Sequence, residues 1–221
     1  SVTKAISGTL AMKLVELGAL DLNQPMAETP EFMEFCAEFG ETESIFAANY
    51  SCDTTLRQHL GHTVNGTPGE KFRYNPVAFS FASRSIAHQV GQDFSSLVSA
   101  HIFEPAGMKD SARIHRDLPQ PEGLASRLAT PYQIEFGQAI PAPPIDPQGD
   151  GAAGGIISTV VDLARFDIAL DGGELVSESS KATMFTPTES SAGGTLPYGI
   201  GWYVQDYEGQ RLVWHSGWWP G

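Results

Sequence analysis

Along most of the chain the apolar residues recur at helical spacing, and only near the C-terminal end do they alternate. Ile6, Leu10, Leu14 and Leu17 fall three or four apart, which predicts an amphipathic helix stopping at Gly18. After the turn "DLNQPM" comes "PEFMEFCAEFGETESIFAANY", acidic and aromatic, whose pattern selects no single form. "TTLRQHLGH" predicts a short helix capped at Thr54 or Thr55 and stopped before the turn-rich "VNGTPGEKF". "PVAFSFASRSIAHQVG" has a helical period, with Pro76 near its start and Gly91 just past its end. "DFSSLVSAHIFEPAG" predicts another helix, broken at Pro105. Residues 118–149 are proline-heavy and read as a surface excursion. "STVVDLARFDIALDGG" then supplies a Ser or Thr cap, an acid in the first turn and glycines at the end. "GIGWYVQDY" and "RLVWHSGWW" read as a β-hairpin turning at Glu208 and Gly209. No internal repeat appears.

Composition narrows the possibilities. With 221 residues, 41% of them hydrophobic, the chain can bury a sizeable core, and residues 1–221 read as a single domain. A formal net charge of -13 opposes nucleic acid and anionic membrane as partners, and it serves solubility equally well. No apolar run approaches the ~20 residues of a membrane span. Cys36 and Cys52 could close a modest loop in an oxidising compartment or stand as two buried thiols, and both options stay open. His59 and His62 form a His-x-x-His with no third ligand nearby in sequence, whereas catalytic zinc normally needs three protein ligands. No metal is assigned to them.

The candidate chemistry begins at the first residue. A serine hydroxyl is a weak nucleophile until a neighbouring base takes its proton, and Lys4 stands one helical turn after Ser1. Ser-x-x-Lys alone carries little weight, since most instances are a helix start followed by a solvated amine. Its weight grows because "PGEKFRYNP" places Tyr74 in a loop just before a helix, and "WHSGWWPG" places His215, Ser216 and Gly217 on the last strand.

In this order, together with "HIFEPAGMKDSA" and "GAAGGIISTVVDLARF", these motifs make the chain resemble the serine β-lactamase and penicillin-binding protein superfamily. The branch it looks like is that of class C β-lactamases and their esterase, D-aminopeptidase and D-alanyl-D-alanine carboxypeptidase relatives. The resemblance implies an α+β, β-lactamase/transpeptidase-like fold, with an antiparallel sheet flanked by helices, a helical region on one side and the active site between them. It makes Ser1 the acylated nucleophile, Lys4 its proton acceptor and Tyr74 the proton shuttle. His215 to Gly217 match the family's Lys-Thr-Gly strand in a His-x-Gly form, and the backbone N–H groups of Ser1 and Trp218 match the oxyanion hole. Asn75, Ser216, Gly217 and Trp218 are the residues expected to face substrate, with Trp218 and Trp219 walling the acyl pocket. Gly154 and Gly155 are expected to allow a close backbone approach. No metal or organic cofactor is implied, the partner is a small ester, amide or peptide, and a periplasmic or secreted bacterial setting is favoured.

Two departures bear on function. The third position of the family's Tyr-x-Asn motif is Pro76, which has no side-chain amide to offer a substrate carbonyl, and Asn75, one position earlier, cannot take over that particular bond. A histidine in place of the strand lysine removes a permanent cation for a substrate carboxylate. Both favour ester or small acyl transfer over β-lactam or D-Ala-D-Ala turnover. A catalytically weak penicillin-binding-like scaffold is the alternative. An N-terminal serine using its own α-amine as base is a further one. Because relatives carry strands before the nucleophile and after the His-x-Gly segment, the sheet is expected to keep only its middle hairpin, truncated at both ends.

Overall fold

Helix α1 (Thr3–Glu16) runs through the middle of the molecule instead of along its surface. In the computed structural model, which describes residues 1–39, 51–113, 122–142 and 151–218, every residue from Thr3 to Met12 is buried. Ile6, Leu10 and Leu14 are in the core as the spacing predicts, while Leu17 lies past the helix end and is 57% exposed. The expected amphipathic helix is thus an enclosed one. Its polar-looking face is made of Thr3, Ser7, Gly8 and Thr9, small enough for other elements to close over it.

The remaining helices are α2 (Pro30–Phe39), α3 (Leu56–Leu60), α4 (Pro76–Val90), α5 (Phe94–Val98), α6 (Leu124–Arg127), α7 (Val160–Asp171) and α8 (Glu178–Met184). Caps explain several boundaries. Thr55 accepts from the Gln58 N–H while the Gln58 side chain returns to the Thr55 N–H, a reciprocal capping box on α3. Asn75 caps α4, Pro76 occupies its first turn and Gly91 ends it at φ 73°. Thr159 caps α7, with Asp162 in the first turn. The helix expected over "DFSSLVSAHIF" is α5 followed by a wider π turn, Ser99–Phe103, before Pro105. The undecided acidic stretch opens as α2, and its remainder lies outside the described residues.

Strands β1 (Ala112–Arg113), β2 (Tyr132–Glu135), β3 (Gln138–Pro141), β4 (Ile156–Ile157), β5 (Tyr203–Tyr207) and β6 (Gln210–Trp214) pair antiparallel as β1–β4, β2–β3 and β5–β6. The architecture is α+β. β5 and β6 pair from Tyr203 with Trp214 to Tyr207 with Gln210, and Glu208 (φ 52°) and Gly209 (φ 75°) form the tight turn that the twist of a hairpin requires. β6 ends at Trp214, so His215 to Gly217 follow the strand and are not part of it. The proline-rich excursion contains the β2–β3 hairpin, and its stretches 114–121 and 143–150 lie outside the described residues. A disulfide joins Cys36 to Cys52, tying α2 to the segment before α3.

Two glycines set the helix against the hairpin. A Cβ on Gly8 would stand 2.3 Å from the Ile200 carbonyl oxygen, and one on Gly201 (φ 80°) 2.4 Å from that of Lys4. The backbone leading into β5 therefore lies directly on the first turns of α1. Among the described residues no helix is long and apolar enough to cross a membrane.

Candidate active site

Ser1 sits immediately before α1, and its carbonyl accepts the Lys4 N–H at 3.0 Å, so both side chains leave the first turn on one side. Lys4 has no exposed surface. Its Nζ donates to Ser1 Oγ at 3.1 Å and to the Ala153 carbonyl at 3.3 Å, and lies 4.9 Å from the centre of the Tyr74 ring and 5.5 Å from that of Phe79. A buried amine on the hydroxyl is what the chemistry needs, and it removes the option of a solvated surface lysine.

The Ala153 carbonyl was not foreseen. It is delivered by the small-residue segment before β4, where Ala152 accepts from Ser7 Oγ at 2.8 Å. Gly151 makes a close approach in this segment, at φ 53° where a Cβ would stand only 2.1 Å from the Ser80 oxygen, and Gly155 contributes a turn at φ 88°.

Tyr74 is half-buried at the end of the loop before α4 and shares a side-chain hydrogen bond with Ser1. Burial pushes its phenol above the usual 10, and the bond to Ser1 offsets part of the rise. The phenol is therefore protonated at neutral pH.

His215 approaches from the end of β6, its ring centre 6.1 Å from that of Tyr74 and 5.4 Å from that of Tyr203. Nδ1 donates to the Ser216 carbonyl at 2.6 Å, because a carbonyl only accepts. Burial chiefly, with the nearby charge of Lys4, pushes the imidazole down to about 4, so it is neutral at pH 7. Gly217 touches the start of the chain: a Cβ there would be 3.3 Å from the Ser1 nitrogen and 3.2 Å from Val2 Cγ2.

Ser1, Lys4, Tyr74, His215 and Gly217 thus converge. Ser216 is exposed and enters only through its carbonyl, and Trp218 is 80% exposed next to Gly217; Trp219 lies outside the described residues. Asn75 is a correction. It is buried, with its Oδ1 accepting from the Ala78 N–H at 3.0 Å and its Nδ2 donating to Asn65 Oδ1 at 3.1 Å. Its side chain caps a helix and does not face substrate, because the position before Pro76 at a helix start is a capping position. The two histidines are likewise put to internal use. His59 bridges Thr54 Oγ1 at 2.9 Å and the Ala78 carbonyl at 2.8 Å, and His62 Nδ1 accepts the Asn75 N–H at 3.0 Å.

The sequence profile of the beta-lactamase family matches residues 1–221. The chain belongs to this family. A penicillin-binding protein of Bacillus subtilis is 30% identical over 168 residues, covering 70% of this chain and 36% of the relative. A penicillin-binding protein of Amycolatopsis lactamdurans is 26% identical over 98% of this chain and 64% of its own length. The chain spans between about a third and two thirds of these family members. A D-stereospecific amidohydrolase from Streptomyces superposes with a TM-score of 0.75 at 20% identity, over 100% of this chain and 74% of that one. The D-amino acid amidase of Ochrobactrum anthropi gives 0.71 at 22%, over 99% and 68%. These two likenesses establish the β-lactamase/transpeptidase-like fold.

Proposed function

We propose that the protein is a serine hydrolase that forms an acyl-enzyme with a small ester or amide carrying no carboxylate near the scissile bond. The supporting observation is a buried Lys4 Nζ at 3.1 Å from Ser1 Oγ, with the Tyr74 phenol on the same serine.

In its amine form Lys4 donates one N–H to Ala153 and turns its lone pair to the Ser1 hydroxyl, taking the proton as Oγ attacks the substrate carbonyl. The tetrahedral oxyanion is received by the backbone nitrogens of Ser1 and of Trp218, the residue after Gly217, which itself lies against the Ser1 nitrogen. Tyr74, protonated at rest, delivers a proton to the departing alcohol or amine, and Lys4 replenishes it. A water then attacks the acyl-serine with the same groups acting in reverse.

Neutral His215 offers no cation to a carboxylate, and Pro76 offers no amide to a substrate carbonyl. Short-chain p-nitrophenyl esters are accordingly expected to be turned over at least ~100-fold more efficiently than a cephalosporin, about 2.7 kcal/mol in transition-state binding. Ser1→Ala should abolish both turnover and fluorophosphonate labelling. Efficient cephalosporin hydrolysis would sink the substrate assignment, and near-normal rates in Ser1→Ala would sink the mechanism. The use of Asn75 as a cap with Pro76 after it favours a second role, penicillin-binding scaffold without turnover. Labelling of Ser1 with no ester hydrolysis would select that role.

A further inference from the structure

We infer that His62 is a positioning residue that holds Tyr74 in place beside Ser1 for its proton transfer to the leaving group. The inference rests on the hydrolase assignment above.

His62 grips the chain on both sides of the tyrosine. Its carbonyl accepts the Arg73 N–H at 2.9 Å, and its Nδ1 accepts the Asn75 N–H at 3.0 Å. Between these two bonds the imidazole packs on the Tyr74 ring at 4.5 Å between centres, tilted by 37°. Its other neighbours are Phe79 at 5.1 Å and Tyr198 at 4.9 Å, so the ring has nowhere else to go. Tyr74 and Phe79 are the two rings over which Lys4 Nζ sits, so a shift of His62 is passed to both partners of Ser1.

The residue's own conformation singles it out. His62 has φ 56° and no exposed surface. A non-glycine residue held in the left-handed region inside a core needs fixed surroundings, and such positions gather at functional sites. Nδ1 can accept from Asn75 only while it carries no proton. Burial chiefly, then the charge of Lys4, holds the imidazole well below 6.5 and so preserves that acceptor. A capped helix start would fix Asn75 by itself; the phenol one residue earlier is held by the His62 ring and the two flanking bonds together with the Tyr203 ring and the bond to Ser1, and His62 has the nearest of these rings.

The contrast between two substitutions separates positioning from bulk stability. In His62→Asn, Oδ1 can take the place of Nδ1 and the residue type tolerates positive φ. His62→Leu keeps the volume and loses the acceptor. Rates are measured with a p-nitrophenyl ester and divided by the fraction of sites titrated with a fluorophosphonate, so unfolded protein drops out. We expect kcat per titrated site to fall about 100-fold in His62→Leu and about 10-fold in His62→Asn, with KM within about threefold of the parent, as for a displaced catalytic group. In a Tyr74→Phe background His62→Asn should change the rate less than about twofold, because nothing is left to position. Equal losses with and without the Tyr74 hydroxyl, or unchanged kcat per site despite a lowered Tm, would overturn the inference. The Asn pair decides the matter even if His62→Leu fails to fold. A silent His62→Asn on a working parent defeats this inference alone, whereas a parent that neither labels nor turns over defeats the hydrolase assignment and this inference with it.

Discussion

Lys4 illustrates how one side chain acquires a role from its surroundings. A lysine in the first turn of a surface helix would be a solvated ammonium, but here it is fully enclosed, with Ser1, Ala153 and two aromatic rings as its neighbours. Arginine tests whether charge or proton acceptance matters, since a guanidinium stays protonated. Lys4→Arg and Lys4→Ala should each lower ester turnover by on the order of 100-fold or more, whereas rescue by arginine would show that a fixed positive charge suffices. Ser1, Lys4 and Tyr74 were legible because each stands in a motif with its own spacing. The Ala153 carbonyl was not, because a backbone acceptor leaves no residue-type signature. His62 was visible only as half of a His-x-x-His, and its contact with the Asn75 N–H depends on how the loop between them folds back.

At the scale of elements, local chemistry was the readable part. The caps at Thr55 and Thr159 and the Glu208–Gly209 turn appear where sequence rules put them. Helix α8, with the sequence ESSKATM, and the β2–β3 hairpin were not foreseen, because neither carries a strong apolar period. The enclosure of α1 was also hidden, since it depends on what packs over Ser7 and Gly8 and not on α1 itself. Gly8 puts propensity and packing in direct conflict. In an isolated helix Gly→Ala gains about 1 kcal/mol. Here the added methyl would stand 2.3 Å from the Ile200 oxygen, so the backbone entering β5 must move away from α1. Overpacking of this kind typically costs 1–3 kcal/mol, roughly, and should exceed the propensity gain. Urea unfolding of Gly8→Ala is expected to show net destabilisation, with a larger loss of ester turnover, because β5 is paired with β6 and the segment after β6 leads His215 and Gly217 to Ser1. A stabilised, fully active Gly8→Ala would mean that the contact between helix and hairpin is looser than described.

For the molecule as a whole, the buried imidazoles link stability to pH. Burial pushes His59 down to about 4, against a backbone hydrogen bond to Ala78 that works the other way, and holds His62 well below 6.5. His215, also near 4, is partly exposed and adds less. A histidine whose pKa is lower in the folded state binds its proton only on unfolding, so stability falls as pH drops through 6.5 and the loss levels off near the folded value. At pH 5 unfolding should take up about one proton at His59, and His62 adds uptake in the same direction. Between pH 7 and 5 His59 alone should lower the unfolding free energy by on the order of 2 kcal/mol, and His62 deepens the loss, against the roughly 5–15 kcal/mol of a typical domain. The carboxyls of Asp162 and Glu16, held below their usual range by hydrogen bonds that outweigh their desolvation, enter only at lower pH. Relief of self-repulsion from the net charge of -13 also waits for carboxylate protonation, so neither masks the histidine window. Urea titrations at pH 7, 6 and 5 read the slope directly, and equal stability at all three would show that the imidazoles are solvated or already charged in the folded protein.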